Sequence, residues 1–369
     1  MIYLDYASTT PIDEEVLQTY VRIEKDFFAN SSSIHKLGIE SKYMLEKAKS
    51  EIKSLLDIPN HDLEFTYNAT EANNMAIYGI ANKYKSGKII TTKIEHPSVS
   101  GPMKDLEEKG YHVVYLDILP NGIIDLEQFK KELDKDTILV AIIWVNNIIG
   151  TIQPIGEVIR LMKDYPKAKL LVDAVQGLCK TVPDFSFNDV DMFTFSAHKF
   201  YGPKGVGCLV KKNGLELAPI LRGSKASKAL KPGTLSLAGI VACAKAIKKY
   251  YPLTKQNEQK VIKLWHYLYD NLKNNSKIII NTPLENISPY IFNISIPSMQ
   301  SETLLRLLEQ HQIYVSAGSA CSSKQQIPEP TIFALSKSIE RATHAIRMSL
   351  SSKVELQDLE KVVAVLNTI

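Results

Sequence analysis

Between residues 63 and 210 the chain alternates short apolar runs of strand type with stretches of helical periodicity, and this alternation narrows the fold more than any other feature. The strand-like runs fall at 63–66, 88–92, 111–116, 137–145, 169–172, 190–195 and 206–210, with helical spacing at 71–85, 126–133 and 154–163, the last opened by Pro154. The run at 137–145 carries no charge, which fits a strand buried on both faces, and such strands belong to parallel sheets covered by helices. The pattern predicts an α/β architecture with a mostly parallel or mixed sheet. Upstream, 13–25 reads as a helix capped by Asp13 and 39–56 as a long amphipathic helix, while residues 1–11 are turn-rich and residues 93–97 a loop. Past about Leu235 the pattern thins: helices at 237–251 and 255–274, strands near 277–280 and 290–296, a helix at 301–310, strands near 313–316 and 345–351, and a last helix at 355–366. That mixture suggests a smaller α+β domain.

The balance of 44 basic and 40 acidic residues gives a net charge of +4, too even for a nucleic-acid-binding face. Lys245, Lys248 and Lys249 read as the polar face of a helix. The start of the chain lacks the pattern of a signal peptide, and no run approaches the roughly 18 apolar residues of a membrane span. Cys179, Cys208, Cys243 and Cys321 are dispersed, with no metal or redox spacing. No metal site and no membrane contact are expected, and a reduced cytoplasmic compartment is the expected location.

Chemistry-bearing residues gather where strands end. Lys199 lies in Ser196-Ala197-His198-Lys199-Phe200-Tyr201-Gly202-Pro203-Lys204-Gly205, on a turn between two strands, a position suited to a reactive amine. Asp173 closes an apolar strand and Gln176 follows; such a carboxylate either caps a helix or pairs with a cation such as a pyridinium nitrogen. Thr70, in Asn68-Ala69-Thr70-Glu71, stands at a strand-to-helix junction, where it serves as an N-cap or helps bind an anion. Ser196 and His198 are further donors for the same anion. His96 follows a strand and precedes Pro97, placed either to stack on a ring and move protons or to lie on the surface. Asn146-Asn147 either binds a ring hydroxyl or satisfies its own turn. Cys321, in Ser316-Ala317-Gly318-Ser319-Ala320-Cys321-Ser322-Ser323, has only small and polar neighbours, unlike Cys208 and Cys243, and reads either as an exposed, mobile nucleophile or as an incidental loop cysteine. Arg347 shares a strand face with Ser349, either as a carboxylate clamp or facing solvent on an edge.

Taken together, these residues resemble the cysteine desulfurases of the NifS/IscS type, group I, in the class-V aminotransferase family of pyridoxal-phosphate enzymes. The resemblance spans the chain from Tyr3-Leu4-Asp5-Tyr6-Ala7 onward. It runs through Ala69-Thr70-Glu71-Ala72-Asn73-Asn74, Glu95-His96, Asn146-Asn147, Asp173-Ala174-Val175-Gln176, Ser196-Ala197-His198-Lys199, Gly233-Thr234, Gly318-Ser319-Ala320-Cys321 and Ile346-Arg347. It implies the fold-type-I architecture of pyridoxal-phosphate-dependent transferases: a large domain at 13–250 with a mostly parallel, mixed seven-stranded sheet, and a small α+β domain from 1–12 and 251–369 that carries the Cys321 loop. It implies that Lys199 holds pyridoxal 5'-phosphate as a Schiff base and that Asp173 pairs with the ring nitrogen. Gln176 and Asn147 would face the ring hydroxyl and its surroundings, and His96 would stack on the ring and take part in proton transfer. Ala69, Thr70, Ser196 and His198 would hold the phosphate, joined by Thr234 from the neighbouring subunit of a homodimer. Arg347, with Asn147, would bind the substrate. Cys321 would take sulfur from L-cysteine as a persulfide, releasing L-alanine and passing the sulfur to an acceptor protein for iron–sulfur cluster assembly or tRNA thiolation. The chain departs from the pattern at Ile148, where a glutamate is usual, at Asn68, where glycine is common, and through Ala226-Ser227-Lys228-Ala229-Leu230-Lys231. A selenocysteine lyase or aminotransferase of the same family, or a non-catalytic sulfur carrier, are the rival readings; Cys321 separates the first two and Lys199 the last.

Overall fold

A computed structural model describes residues 1–223, 230–318 and 328–369. In chain order the elements are β1 (Ile2–Tyr3), α1 (Glu14–Asp26), α2 (Lys36–Leu56), β2 (His61–Thr66), α3 (Ala69–Ala81), β3 (Lys88–Thr92), α4 (Pro97–Glu108), β4 (His112–Leu116), α5 (Leu126–Glu132), β5 (Thr137–Ile143), α6 (Ile155–Met162), β6 (Lys169–Asp173), β7 (Met192–Ser196) and β8 (Gly207–Lys212). They continue with α7 (Leu237–Tyr250), α8 (Thr254–Leu272), β9 (Ile279–Ile280), β10 (Ile291–Ser295), α9 (Ser301–Gln310), β11 (Ile313–Tyr314), α10 (Pro330–Ser336), α11 (Ile339–Thr343), β12 (Ala345–Ser349) and α12 (Leu356–Leu366).

A seven-stranded sheet runs in the order β2-β8-β7-β6-β5-β3-β4; β8 is antiparallel to both neighbours and the remaining pairs are parallel. Every residue of β5 is buried, as its uncharged sequence requires. Its side chains alternate between two cores: Leu139 and Ala141 pack with Met75 and Met103 of α3 and α4, while Val140 and Ile142 join Ile52 of α2 and Ile240 of α7. A separate core gathers Leu4, Trp265, Phe292, Leu308, Met348 and Leu359 around the antiparallel sheet β12-β10-β9. Among the described residues no helix is long and apolar enough to cross a membrane.

Four features depart from the sequence reading. The loop read after residue 92 leads at once into α4, which carries Pro97 in its first turn and Pro102 inside it. Proline at a helix start costs nothing because that N–H has no partner there, so the prolines hide this helix from a pattern search. Residues 2–3, read as part of a turn, pair in parallel with β11, some three hundred residues away in sequence. The short helices α10 and α11 carry too few residues to show a period. The N-cap of α3 is Asn68, whose side chain accepts from the Glu71 N–H, so Thr70 sits inside the first turn instead of capping it.

Two glycines let the layers close around the site. A Cβ on Gly207, at the start of β8, would lie 2.4 Å from the Asn68 carbonyl carbon, so only glycine lets β8 abut the start of α3. A Cβ on Gly177, next to Gln176, would lie 2.1 Å from the buried Trp144 ring.

Candidate active site

The parallel strands β3, β5, β6 and β7 all end on one side of the sheet, and each delivers site residues there: His96 after β3, Asn147 after β5, Asp173 and Gln176 at and after β6, and Ser196, His198 and Lys199 at and after β7. This is the edge at which open α/β sheets bind ligands.

Lys199 ends a single turn of 3-10 helix, Ala197–Lys199. The turn is braced by Phe200 and Gly202 N–H groups donating to the Ala197 carbonyl, and by Tyr201 in the left-handed region at φ 65°. The extended N-terminal segment lies along it. The Thr10 N–H and hydroxyl both donate to the His198 carbonyl at 2.9 Å, and Tyr201 N–H donates to Thr10 Oγ1 at 2.7 Å. The Lys199 amine donates to the carbonyls of Ala7 at 2.7 Å and Ser8 at 2.9 Å. Burial and then the Arg347 charge lower its pKa to about 8, against the pull of Asp173 and Asp5.

Asp173 is buried and caps no helix. Its Oδ1 accepts from Val175 N–H at 3.1 Å and its Oδ2 from Asn73 Nδ2 at 3.0 Å. Asn73 also donates to Ser98 Oγ at 2.8 Å and accepts from Thr194 Oγ1 at 2.7 Å. Ser98 connects this network to His96, which is the N-cap of α4 and not a surface loop residue. Ser98 N–H donates to His96 Nδ1 at 3.1 Å, so Nδ1 is an acceptor and the proton of the neutral ring sits on Nε2. Burial first, and the Lys199 and Arg347 charges after it, depress the His96 pKa and favour that neutral form, although Asp173 opposes them. Neighbouring Glu95 ties β3 to β5: its Oε1 accepts from Thr92 Oγ1 at 2.7 Å and Ile143 N–H at 3.0 Å. Its other oxygen is buried without a partner among the described residues, and burial raises its pKa to about 8.

The two asparagines after β5 divide their duties. Asn146 satisfies its turn, with its oxygen accepting from Ile148 and Ile149 N–H and its nitrogen donating to the Ile94 carbonyl. The Asn147 side chain makes no such bond among the described residues, and its carbonyl accepts from Arg347 at 2.8 Å. Arg347 lies on β12, an edge strand, yet it is only 3% exposed because residue 5 bridges to Ser349 and residue 316 to Arg347 itself. Its Nη2 donates to Asp5 Oδ1 at 3.0 Å and Ser8 Oγ at 2.8 Å, while its Nε is buried with no partner among the described residues.

Ala69 and Thr70 occupy the first positions of α3, where backbone N–H groups lack intrahelical acceptors. Ser196 is buried at the end of β7, its hydroxyl only weakly engaged with the Val206 carbonyl at 3.5 Å. His198 points its Nδ1 at Thr9 Oγ1, 3.1 Å away, and burial with the charges of Lys199, Lys180 and Lys204 lowers its pKa to about 4, so it is neutral. Thr234 is exposed and lines a groove with Tyr67 and Gly205. Cys321 lies outside the described residues. The other three cysteines are free and buried, with thiol pKa values pushed up by burial.

The site fits pyridoxal phosphate. It offers an amine of lowered pKa, a buried carboxylate, an imidazole ring, an open helix start for a phosphate, and a guanidinium whose buried Nε lacks an acceptor among the described residues. Asn73, Ser98, Thr194, Lys180, Asp5 and Ser8 were given no role from sequence. Asn73 carries the one legible sign: a polar residue on the buried stripe of Ala72, Met75 and Ala76.

The family described as Aminotransferase class-V matches residues 2–362 of this chain. A NifS/IcsS protein homolog from Lactobacillus delbrueckii subsp. bulgaricus is 37% identical, with 100% of this chain and 97% of the relative covered. Cysteine desulfurase IscS of Dictyoglomus turgidum is 36% identical across 100% of this chain and 94% of its own. Among solved structures, a NifS-like protein superposes with a TM-score of 0.91 at 32% identity, covering 100% of both chains.

Proposed function

The chain belongs to the class-V aminotransferase family, among its NifS/IscS members, and on that premise we propose that it is a pyridoxal-phosphate-dependent cysteine desulfurase. The observation that carries the reading is the double use of Ser8. Its carbonyl receives the Lys199 amine and its hydroxyl receives the Arg347 guanidinium, so the two cations stand on either side of one residue. That spacing suits an amino acid whose amine end is handled at Lys199 and whose carboxylate is gripped at Arg347.

When bound, pyridoxal phosphate supplies an electron sink for negative charge developing beside the substrate's amine. Lys199 holds the cofactor and moves protons near it. Asp173, kept in place by Asn73 and the Val175 N–H, offers a fixed negative charge to the ring nitrogen. His96 presents its ring face and an Nε2–H donor, since Nδ1 is engaged by Ser98. Gln176 and Asn147 serve the ring oxygen and its surroundings. Ala69, Thr70, Ser196 and His198 line the phosphate end, with Thr234 reaching it from a second subunit. Cys321 attacks the substrate sulfur; the S–S bond forms as the Cβ–Sγ bond breaks, and a proton delivered to Cβ leaves alanine. The persulfide then passes to an acceptor protein of iron–sulfur assembly or tRNA thiolation. Exposed Phe28, Ile34, Leu37, Ile39 and Tyr43, at the end of α1 and the start of α2, support the homodimer. The separate apolar cores support a cofactor-holding unit at 13–250 and a smaller one from 1–12 and 251–369. Three free thiols suit the reducing cytoplasm.

Purified protein given pyridoxal phosphate and L-cysteine is expected to form alanine and to carry sulfane sulfur on the chain. Alanine without protein-bound sulfur would instead indicate a lyase. Arg347→Lys keeps a charge but loses the fork that grips a carboxylate. It is expected to raise KM for L-cysteine about 10- to 100-fold, with smaller change in kcat, the size of one lost charge-assisted hydrogen bond. Steady-state kinetics at fixed cofactor occupancy check this, and an unchanged KM would remove Arg347 from substrate binding.

A further inference from the structure

Lys180 is a buried lysine that the proposed function leaves without a task. It follows β6 and is 6% exposed. No carboxylate is among the charges that act on it. Burial, then Lys199 and Arg347, lower its pKa to about 7, with only the Cys179 thiol acting the other way. On its far side a small cavity is walled by Tyr6, Tyr201, Tyr250 and Tyr290, all held neutral by pKa values raised through burial. A buried amine without a counter-ion is costly and persists only where its hydrogen bonds are made.

Its partner is Gln176. Lys180 Nζ donates to Gln176 Oε1 at 3.1 Å, Gln176 Nε2 donates to the Ala7 carbonyl at 2.8 Å, and the same carbonyl accepts from Lys199 Nζ at 2.7 Å. The amide has a single workable orientation in this chain. Flipped, its NH2 would face the Lys180 amine and its oxygen would face the Ala7 carbonyl, setting donor against donor and acceptor against acceptor. One Gln176 N–H is spent on Ala7, which leaves the second to donate elsewhere in the site.

We propose that Lys180 is a positioning residue: by pinning Gln176 Oε1 it keeps the Gln176 NH2 turned toward the reactive end of Lys199, where that NH2 favours the ionised ring oxygen of a bound cofactor. This rests on the pyridoxal-phosphate reading. A hydrogen-bond donor held beside the ring oxygen lowers the affinity of the adjoining nitrogen for its proton, so releasing it raises the pH at which the bound cofactor's visible band titrates.

The test is that titration, read spectroscopically without substrate on the cofactor-loaded wild type, Lys180→Met, Lys180→Arg, Gln176→Leu and the double variant Lys180→Met/Gln176→Leu. Lys180→Met is expected to move the midpoint up by about one pH unit, the scale of one hydrogen bond to a charged group that is lost when the Gln176 amide is no longer held. Lys180→Arg should move it less. Gln176→Leu should move it in the same direction and leave little for Lys180→Met to add. A midpoint unmoved in Lys180→Met, or shifts that simply add in the double variant, overturns the proposal. Should Lys180→Met fail to fold, an unmoved midpoint in Gln176→Leu alone has the same force. A wild type that takes up no pyridoxal phosphate and shows no visible band is a different failure, that of the cofactor reading, and carries this proposal down with it.

Discussion

Lys199→Ala is expected to lose the visible absorption of the bound cofactor and on the order of ten-thousand-fold in turnover of L-cysteine, the usual scale for removing a group that acts covalently. An amine reacts with a carbonyl only when neutral, and an ordinary lysine near 10.5 would be about 0.1% neutral at pH 7.5. Burial and the Arg347 charge bring Lys199 down to about 8. About a quarter of it is then neutral at the same pH, a gain of roughly two orders of magnitude in reactive amine. Position adds to this. The amine is already held at 2.7 and 2.9 Å by the Ala7 and Ser8 carbonyls, in a site shared with Asp173 and Arg347. The alanine variant leaves both carbonyls without that donor but also relieves the burial of an amine whose pKa is depressed, so a melt of the cofactor-free protein separates any stability change from the chemical loss. Lys180 is the control built into the site. If Lys199→Ala still held the cofactor covalently, the attachment would belong to Lys180 and the assignment would be wrong.

The sequence speaks most clearly where one residue's surroundings are local. Lys199, Asp173 and the strand ends that bear them could be read because apolar runs mark strands and a charged residue at the end of such a run stands out. Asn146 and Asn147 look identical in sequence; only the fold shows that the first is spent on the Ile148 and Ile149 N–H groups while the second remains available. What stayed hidden depends on long-range pairing. Asp5, Ala7 and Ser8 enter the site because β1 pairs with β11 and the segment after it crosses the lysine turn, contacts that no local pattern encodes. The edge position of β12 would leave Arg347 in solvent if those same residues did not cover it. The helix after His96 was concealed by Pro97 and Pro102, so the role of His96 as its N-cap, which fixes the ring tautomer, was concealed with it.

Cys321→Ala is expected to keep the cofactor's absorption and still bind L-cysteine, while sulfur transfer to the protein falls by about a thousandfold or more, because no other thiol can replace it. Among the described residues the thiols are excluded one by one. Cys208 lies within β8 and Cys243 within α7, both fully buried in the core under the sheet, and Cys179 is buried after β6. Burial holds each thiol well above its ordinary pKa, with Cys243 near 12, so none supplies thiolate near neutral pH. Their alanine variants should retain turnover and change stability only. In sequence, Cys321 alone stands in a run of small and polar residues. Sulfur transfer by the wild type should therefore rise with pH, because the thiolate is the attacking form. Mass spectrometry of the protein after one turnover checks both points. An added sulfur on the peptide bearing Cys321 is the expected result, and sulfur persisting on the chain in Cys321→Ala would defeat the mechanism.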